Sequence, residues 1–417
     1  MIAGDGLTRR RFLAASAGVG GAVAVGLGAP AMRRRPDREE DWDDVRAEWP
    51  AGGTVLNLES GGVQVTPLRV EAAFQREWAS AQVLPPVRLG REVAADFDFV
   101  RARLAVAVGC GVGELALVRN TTEGMQSLLQ GWRLERGDRI LTTTQDYWRF
   151  QDGIAQRAAR DGIGIDSIRL AVPADQPAEL VRQFAEAVTP RTRVALLCHV
   201  VNLTGQILPV AAIAAALRAR GVRVLVDGAH GFGHLTGRVV DLGCDAYATS
   251  LHKWLGAPHG TGFLYLREDL IEEVWPLFPA PAARAADIRK FESVGTAPSA
   301  PFLAIPTALD FWAEIGPGEK LARLRWLRDR WVDVARTLPG ARSLTRMAVE
   351  GAGALATFHF AGRNARALAA DLLDRERILV RAIVHPEFNG IRVAPNLFNS
   401  AAEIDRFALA LRRVLRG

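Results

Sequence analysis

Two neighbouring stretches decide the fold: Val222-Arg223-Val224-Leu225-Val226-Asp227-Gly228-Ala229-His230, and after it Ala246-Tyr247-Ala248-Thr249-Ser250-Leu251-His252-Lys253-Trp254. Each opens as a short apolar run and breaks off at polar residues, as a buried strand does at the rim of a sheet. Toward the N-terminus, Leu115-Ala116-Leu117-Val118, Arg139-Ile140-Leu141-Thr142-Thr143, residues 163–170 and Arg193-Val194-Ala195-Leu196-Leu197-Cys198-His199 repeat the pattern. Helical stretches at 123–132 and, richer in alanine, at 150–160, 178–187 and 210–220 separate them. Such alternation predicts an α/β fold built from βαβ crossovers, with a mostly parallel sheet covered on both faces. Ligands of these sheets bind outside the carboxyl ends of the strands. After residue 301 the pattern changes to long helices at 301–315 and 318–337, a few strands and a terminal helix at 401–415. That reads as a second, smaller α+β domain.

Composition narrows the function classes. The 417 residues are 49% hydrophobic and 24% charged with a formal charge of +6, which excludes a disordered, collagen-like or coiled-coil chain. Three cysteines, Cys110, Cys198 and Cys244, suit neither a disulfide scaffold nor a zinc site. The pI of about 9.8 rests on a small excess of charge, and beyond the N-terminal Arg9-Arg10-Arg11 only Arg33-Arg34-Arg35 forms a basic block, which argues against nucleic acid as a partner. Of 52 basic residues only Lys253, Lys290 and Lys320 are lysine. Arginine stays protonated in proteins whereas lysine can become a neutral amine, so each lysine kept in such a chain calls for its own reason.

Thr8-Arg9-Arg10-Arg11-Phe12-Leu13 precedes an uncharged run over residues 14–30 and the small residues Ala29-Pro30-Ala31. This resembles a twin-arginine export signal, read by the twin-arginine translocase and removed near residue 31. The expectation is a periplasmic or extracellular protein, membrane-anchored if the signal is kept. Residues 32–60, charged and bounded by proline near 36 and 50, read as a linker with one short helix and an N-terminal segment. Residues 61–300 then form the large domain and 301–417 the small one.

At the strand ends, Asp227 alone would serve equally as a turn former or cap, and Lys253 alone as a solvated loop residue. Together with the packed Trp254-Leu255-Gly256 turn and nearby hydroxyls, they form what a pyridoxal phosphate site requires: a lysine to bond the aldehyde and an acid to keep the pyridine nitrogen protonated. The Asp227-x-x-His230 and Ser250-x-His252-Lys253 motifs resemble the class V aminotransferase family of fold-type I pyridoxal-phosphate enzymes, in its isopenicillin N epimerase-like branch, from about Leu56 to the C-terminus. The resemblance implies a large domain with a mostly parallel seven-stranded sheet between helices, pyridoxal 5'-phosphate as cofactor, and a homodimer. It makes Lys253 the Schiff-base lysine, Asp227 the partner of the pyridine nitrogen and His230 the neighbour of the ring hydroxyl. It places Thr121, Thr122, Ser250 and His252 on the phosphate, Tyr147 on the ring face and Asn202 on the ring hydroxyl. Thr296, in Phe291-Glu292-Ser293-Val294-Gly295-Thr296, would reach the phosphate of the neighbouring subunit. Arg392 would clamp a substrate carboxylate, with Asn57 also on the substrate side. A bidentate guanidinium suits an α-amino acid.

Two departures bear on the substrate pocket. The branch reads Leu-Asn-x-Gly-Ser-x-Gly where this chain has Leu56-Asn57-Leu58-Glu59-Ser60-Gly61-Gly62, a carboxylate replacing a glycine. After Gly295-Thr296 it carries Arg-Asp where this chain has Ala297-Pro298. The small-domain stretch Arg381-Ala382-Ile383-Val384-His385-Pro386 has no cysteine, which argues against a persulfide-forming desulfurase. The expected activity is transamination or epimerisation of an amino acid-like substrate. A cysteine-independent carbon–sulfur β-lyase, or an exported, catalytically silent binder that keeps the fold, are the alternatives.

Overall fold

The structure, a computed structural model, describes residues 33–50 and 53–416. The export signal read at residues 1–31 lies outside them. The described chain begins with a segment expected to be a linker. Instead Trp42, Val45 and Trp49 are buried, in one cluster with Trp254, Phe311 and Leu324. Trp42 and Val45 lie on the short helical turns Glu39–Trp42 and Asp43–Arg46 and Trp49 in the bend that follows, apolar positions concealed in the sequence by the charges around them. Strand β1 (Leu56–Asn57) follows and pairs in parallel with a strand far along the chain.

The large sheet takes β2 (Leu115–Val118), β3 (Arg139–Thr143), β4 (Gly164–Ile168), β5 (Thr192–Cys198), β6 (Arg223–Asp227), β7 (Ala246–Ser250) and β8 (Gly262–Leu266). Their order across the sheet is β2-β8-β7-β6-β5-β3-β4. Only β8 runs against the others. The sheet is therefore mostly parallel and seven-stranded, and every strand but β8 delivers its carboxyl end to one edge. The near-continuous burial of β2 and β5 to β8 fits strands covered on both faces.

Helices α1 (Leu68–Val83), α2 (Val93–Val108), α3 (Thr121–Gly131), α4 (Trp148–Asp161), α5 (Pro177–Glu186) and α6 (Val210–Arg218) belong to this half. Helix α7 (Ile305–Ile315) also packs here, since Ile305, Ala308 and Leu309 join the large-domain core. The packing thus divides the chain near residue 316, later than the composition change near 301 suggests. The small domain comprises α8 (Pro317–Arg336), β9 (Ala341–Ser343), β10 (Ala356–Phe360), α9 (Ala365–Glu376), β11 (Ile378–Leu379), β12 (Arg381–Val384), β13 (Asn389–Val393) and α10 (Ala401–Arg416). Its antiparallel sheet runs β12-β13-β10-β9. Leu56 and Leu58 sit in its core with Trp331, Phe358 and Phe407, so the N-terminal segment is structurally part of the C-terminal domain.

Candidate active site

The carboxyl ends of β2, β3, β5, β6 and β7 face strands β12 and β13 across a cavity of about 560 Å³. Ten of the twelve anticipated site residues line it: Thr121, Thr122, Tyr147, Asn202, Asp227, His230, Ser250, His252, Lys253 and Arg392. Two do not. Asn57 turns its side chain away, and its Oδ1 accepts the Glu59 N–H at 2.9 Å, so it shapes the backbone of its own turn. Thr296 lies exposed outside this chain's cavity.

One end of the cavity is an anion cradle. The loop from β2 enters α3 at Thr121, with Asn120 as N-cap accepting the Glu123 N–H at 2.9 Å. The Thr121 N–H donates to Ser250 Oγ at 2.9 Å, and the two hydroxyls lie 2.7 Å apart. A helix N-terminus ringed by hydroxyls favours phosphate.

The same cavity carries the acid. Asp227 closes β6 in register with Cys198 on one side and Ala248 on the other. Its Oδ1 accepts the Ala229 N–H at 2.9 Å, and the Cys198 thiol lies 3.7 Å from Oδ2. Burial pushes its pKa up to about 6 despite that hydrogen bond and the charge of Lys253. The thiol of Cys198 also donates to Asp146 Oδ1 at 3.1 Å, with burial and the two carboxylates holding it well above an ordinary cysteine. Sequence reading did not single out Asp146, whose other oxygen takes the Thr142 hydroxyl at 2.6 Å and the Thr143 N–H at 2.7 Å.

Lys253 lines the cavity with Asp227 and the cradle residues. Its Nζ lies 3.5 Å from His230 Nε2, and the Trp254 indole N–H donates to His230 Nδ1 at 3.2 Å. Indole is a donor only, so Nδ1 is the acceptor and the neutral ring keeps its proton on Nε2, toward the amine. His230 is held neutral by burial first and then by the positive charges of Lys253 and Arg392. Burial brings Lys253 itself down to about 8, with Asp227 opposing the shift. Behind it, His234 stacks on Trp254 at 3.9 Å, and the buried Lys320 donates to the Trp254 carbonyl.

Pyridoxal phosphate needs an anion cradle, an acid, polar partners for a ring hydroxyl and an amine, and all four are present. Asn202 Oδ1 and His252 Nδ1 are buried without a hydrogen-bond partner, which is what groups awaiting a bound molecule look like. Arg392 fits less simply. Its Nη2 already binds Glu59 Oε1 at 2.6 Å, and its Nη1 the Asn202 carbonyl at 2.6 Å. Among the other residues lining the cavity, Glu59, Trp148 and Arg381 belong to no site read from sequence, although Glu59 stood out there as a departure. A second cavity of about 880 Å³ adjoins the first across Asn202, Leu203, Trp148 and Val384.

The profile of a family described as aminotransferase class-V matches residues 66–407. Isopenicillin N epimerase of Streptomyces clavuligerus is 34% identical over 391 residues, covering 89% of this chain and 98% of that protein. A probable cysteine desulfurase of Xylella fastidiosa strain Temecula1 is 26% identical over 412 residues, covering 91% of this chain and 97% of that one. The solved complex of a cystine C–S lyase with its product cysteine persulfide shares the fold with a TM-score of 0.78 at 25% identity. That likeness covers 87% of this chain and 97% of the other.

Proposed function

Since the chain belongs to the aminotransferase class-V family, with the fold-type I architecture and pyridoxal phosphate as its cofactor, we propose that it acts at Cα of an amino acid-like substrate by transamination or epimerisation. When bound, pyridoxal phosphate supplies an electron sink that makes a Cα proton removable. Thr121, Thr122, Ser250 and His252 would hold its phosphate, Asp227 its ring nitrogen, Asn202 and His230 its hydroxyl, Tyr147 its ring face and Lys253 its aldehyde carbon. The observation that carries this reading is Lys253 set among the strand ends in one cavity with Asp227 and His230, its Nζ 3.5 Å from His230 Nε2 and its pKa brought down by burial to about 8. Such an amine has a neutral fraction near neutrality and can take and return a proton, which an ordinary lysine does poorly. The Nε2–H of His230 points the amine's lone pair, and Arg392 anchors the substrate carboxylate.

The adjoining cavity supports a substrate with a side chain larger than that of cysteine. The cysteines speak against persulfide chemistry: burial pushes Cys110 and Cys244 up to about 12 and Cys198 well above its ordinary value. The likeness to a cystine C–S lyase supports, as a second reading, β-elimination that needs no catalytic thiol. Our reading extends to a homodimer, in which Thr296 reaches the phosphate site of a neighbouring copy, and to export by the twin-arginine route. Incubating the cofactor-loaded protein with single amino acids in deuterated water separates the chemistries. Deuterium at Cα with the amine retained marks epimerisation, an oxo acid marks transamination, and pyruvate with a released thiol marks elimination. No exchange and no product from any amino acid would remove the proposed function.

A further inference from the structure

We propose that Glu59 is a built-in competitor for the substrate's carboxylate: it occupies Arg392 in the resting protein, and a substrate binds by displacing it. This rests on Arg392 being the carboxylate anchor of the reading above. The two side chains are 11% and 5% exposed and lie 2.6 Å apart. Glu59 is held there by its backbone. Its N–H donates to Asn57 Oδ1, the Ser60 N–H donates to the Ala394 carbonyl at 3.2 Å, and the Ala394 N–H to the Leu58 carbonyl at 2.8 Å. The segment is thereby laced beside β13, the strand that bears Arg392. A carboxylate tethered this way competes at an effective concentration far above that of a free ligand.

The pair is nevertheless incomplete. A carboxylate can take two parallel N–H groups of a guanidinium, but Glu59 takes one. Glu59 Oε2 and Arg392 Nε are both buried without a partner, a costly arrangement that a better-aligned carboxylate would relieve at the arginine. The space for exchange is kept by glycines. A Cβ on Gly61 would stand 3.0 Å from Arg392 Nη2, and one on Gly62 would stand 3.1 Å from Glu59 Oε1. A displaced Glu59 also has somewhere to go. Arg381 pairs with Arg392 in the β12–β13 register and so shares its face of the sheet, lines the same cavity, and has no ion-pair partner among the described residues. Cross-strand pairs stand about 5 Å apart at Cβ, within reach of a glutamate that swings from one guanidinium to the other.

A binding site that is free only part of the time loses affinity by that fraction. The test is titration calorimetry of propionate, a carboxylate without an amine, into the cofactor-loaded protein. Glu59→Gln removes the competing charge, and Glu59→Asp shortens its reach while keeping the charge. Both are expected to bind propionate at least about tenfold more tightly than the parent, as when Arg392 is free less than about a tenth of the time. Adding Arg392→Gln to Glu59→Gln should abolish the gain. Unchanged or weaker binding in both Glu59 variants overturns the proposal, as does a gain that survives without Arg392. Arg392→Gln alone tells the two possible failures apart. Binding indifferent to it removes Arg392 as the anchor, whereas binding weakened by it but indifferent to Glu59 removes only the competitor.

Discussion

All three lysines are engaged in the interior. Lys290 donates to the Ile271 and Ala285 carbonyls at 2.5 and 2.8 Å, and Lys320 to that of Trp254. A compact ammonium can enter such carbonyl niches more easily than a planar guanidinium, which accounts for lysine in a chain that otherwise uses arginine. Burial lowers Lys320 to about 7 as well, so a depressed pKa does not single out Lys253. Its company does: Asp227 and His230 face the same cavity. A pKa lowered to about 8 leaves the amine neutral above that pH, so the rate at which cofactor-free protein takes up pyridoxal phosphate should climb toward pH 8 and then level off. A rate still climbing steeply past pH 10, where an ordinary lysine titrates, would show an unperturbed amine. That this residue mattered was legible from the scarcity of lysine and the Ser250-x-His252-Lys253 spacing. The partner of Arg392 was not, because Glu59 lies 333 residues away in sequence and only the fold brings them together.

Among the elements, the parallel strands were readable because each is an apolar run ending in polar residues. Strand β8 was not, since Gly260-Thr261-Gly262 reads as a turn and its antiparallel direction is set by pairing with β2 and β7. Asn57 was misplaced for a related reason: in a two-residue strand, one step of register decides which face a side chain takes. The cradle depends on how closely α3 lies on β7. A Cβ on Gly124 would fall 2.7 Å from that of Ala248, so glycine sets the depth of the helix. Gly124→Val should cost about 1–3 kcal/mol through overpacking, and should weaken cofactor retention because Thr121 moves with the helix. Denaturant unfolding and gel filtration of the coloured protein check both effects. Parent-like stability and retention would show that the helix has room to spare.

Across the whole molecule, the segment near the N-terminus ties the two domains to the site. Trp42 is fully buried in the cluster that contains Trp254, the residue after Lys253, and the Arg323 guanidinium lies 5.5 Å from its ring. Trp42→Ala should cost about 3–5 kcal/mol, read by denaturant unfolding, whereas a linker tryptophan would cost almost nothing. The exposed Thr296 belongs to the same scale. If two copies complete each other's phosphate sites, sedimentation should give a dimer, and Thr296→Ala should loosen the cofactor without dissociating the protein. A monomer that holds the cofactor tightly would remove that role.

The proposed chemistry turns on which nitrogen carries the cofactor. Among the described residues no lysine is freely exposed, so borohydride reduction of the coloured protein followed by peptide mass mapping has little background to contend with. We predict a single cofactor-derived mass on the peptide containing Lys253. The same mass on the peptide of Lys290 or Lys320, or on none, would contradict the assignment and the chemistry built on it.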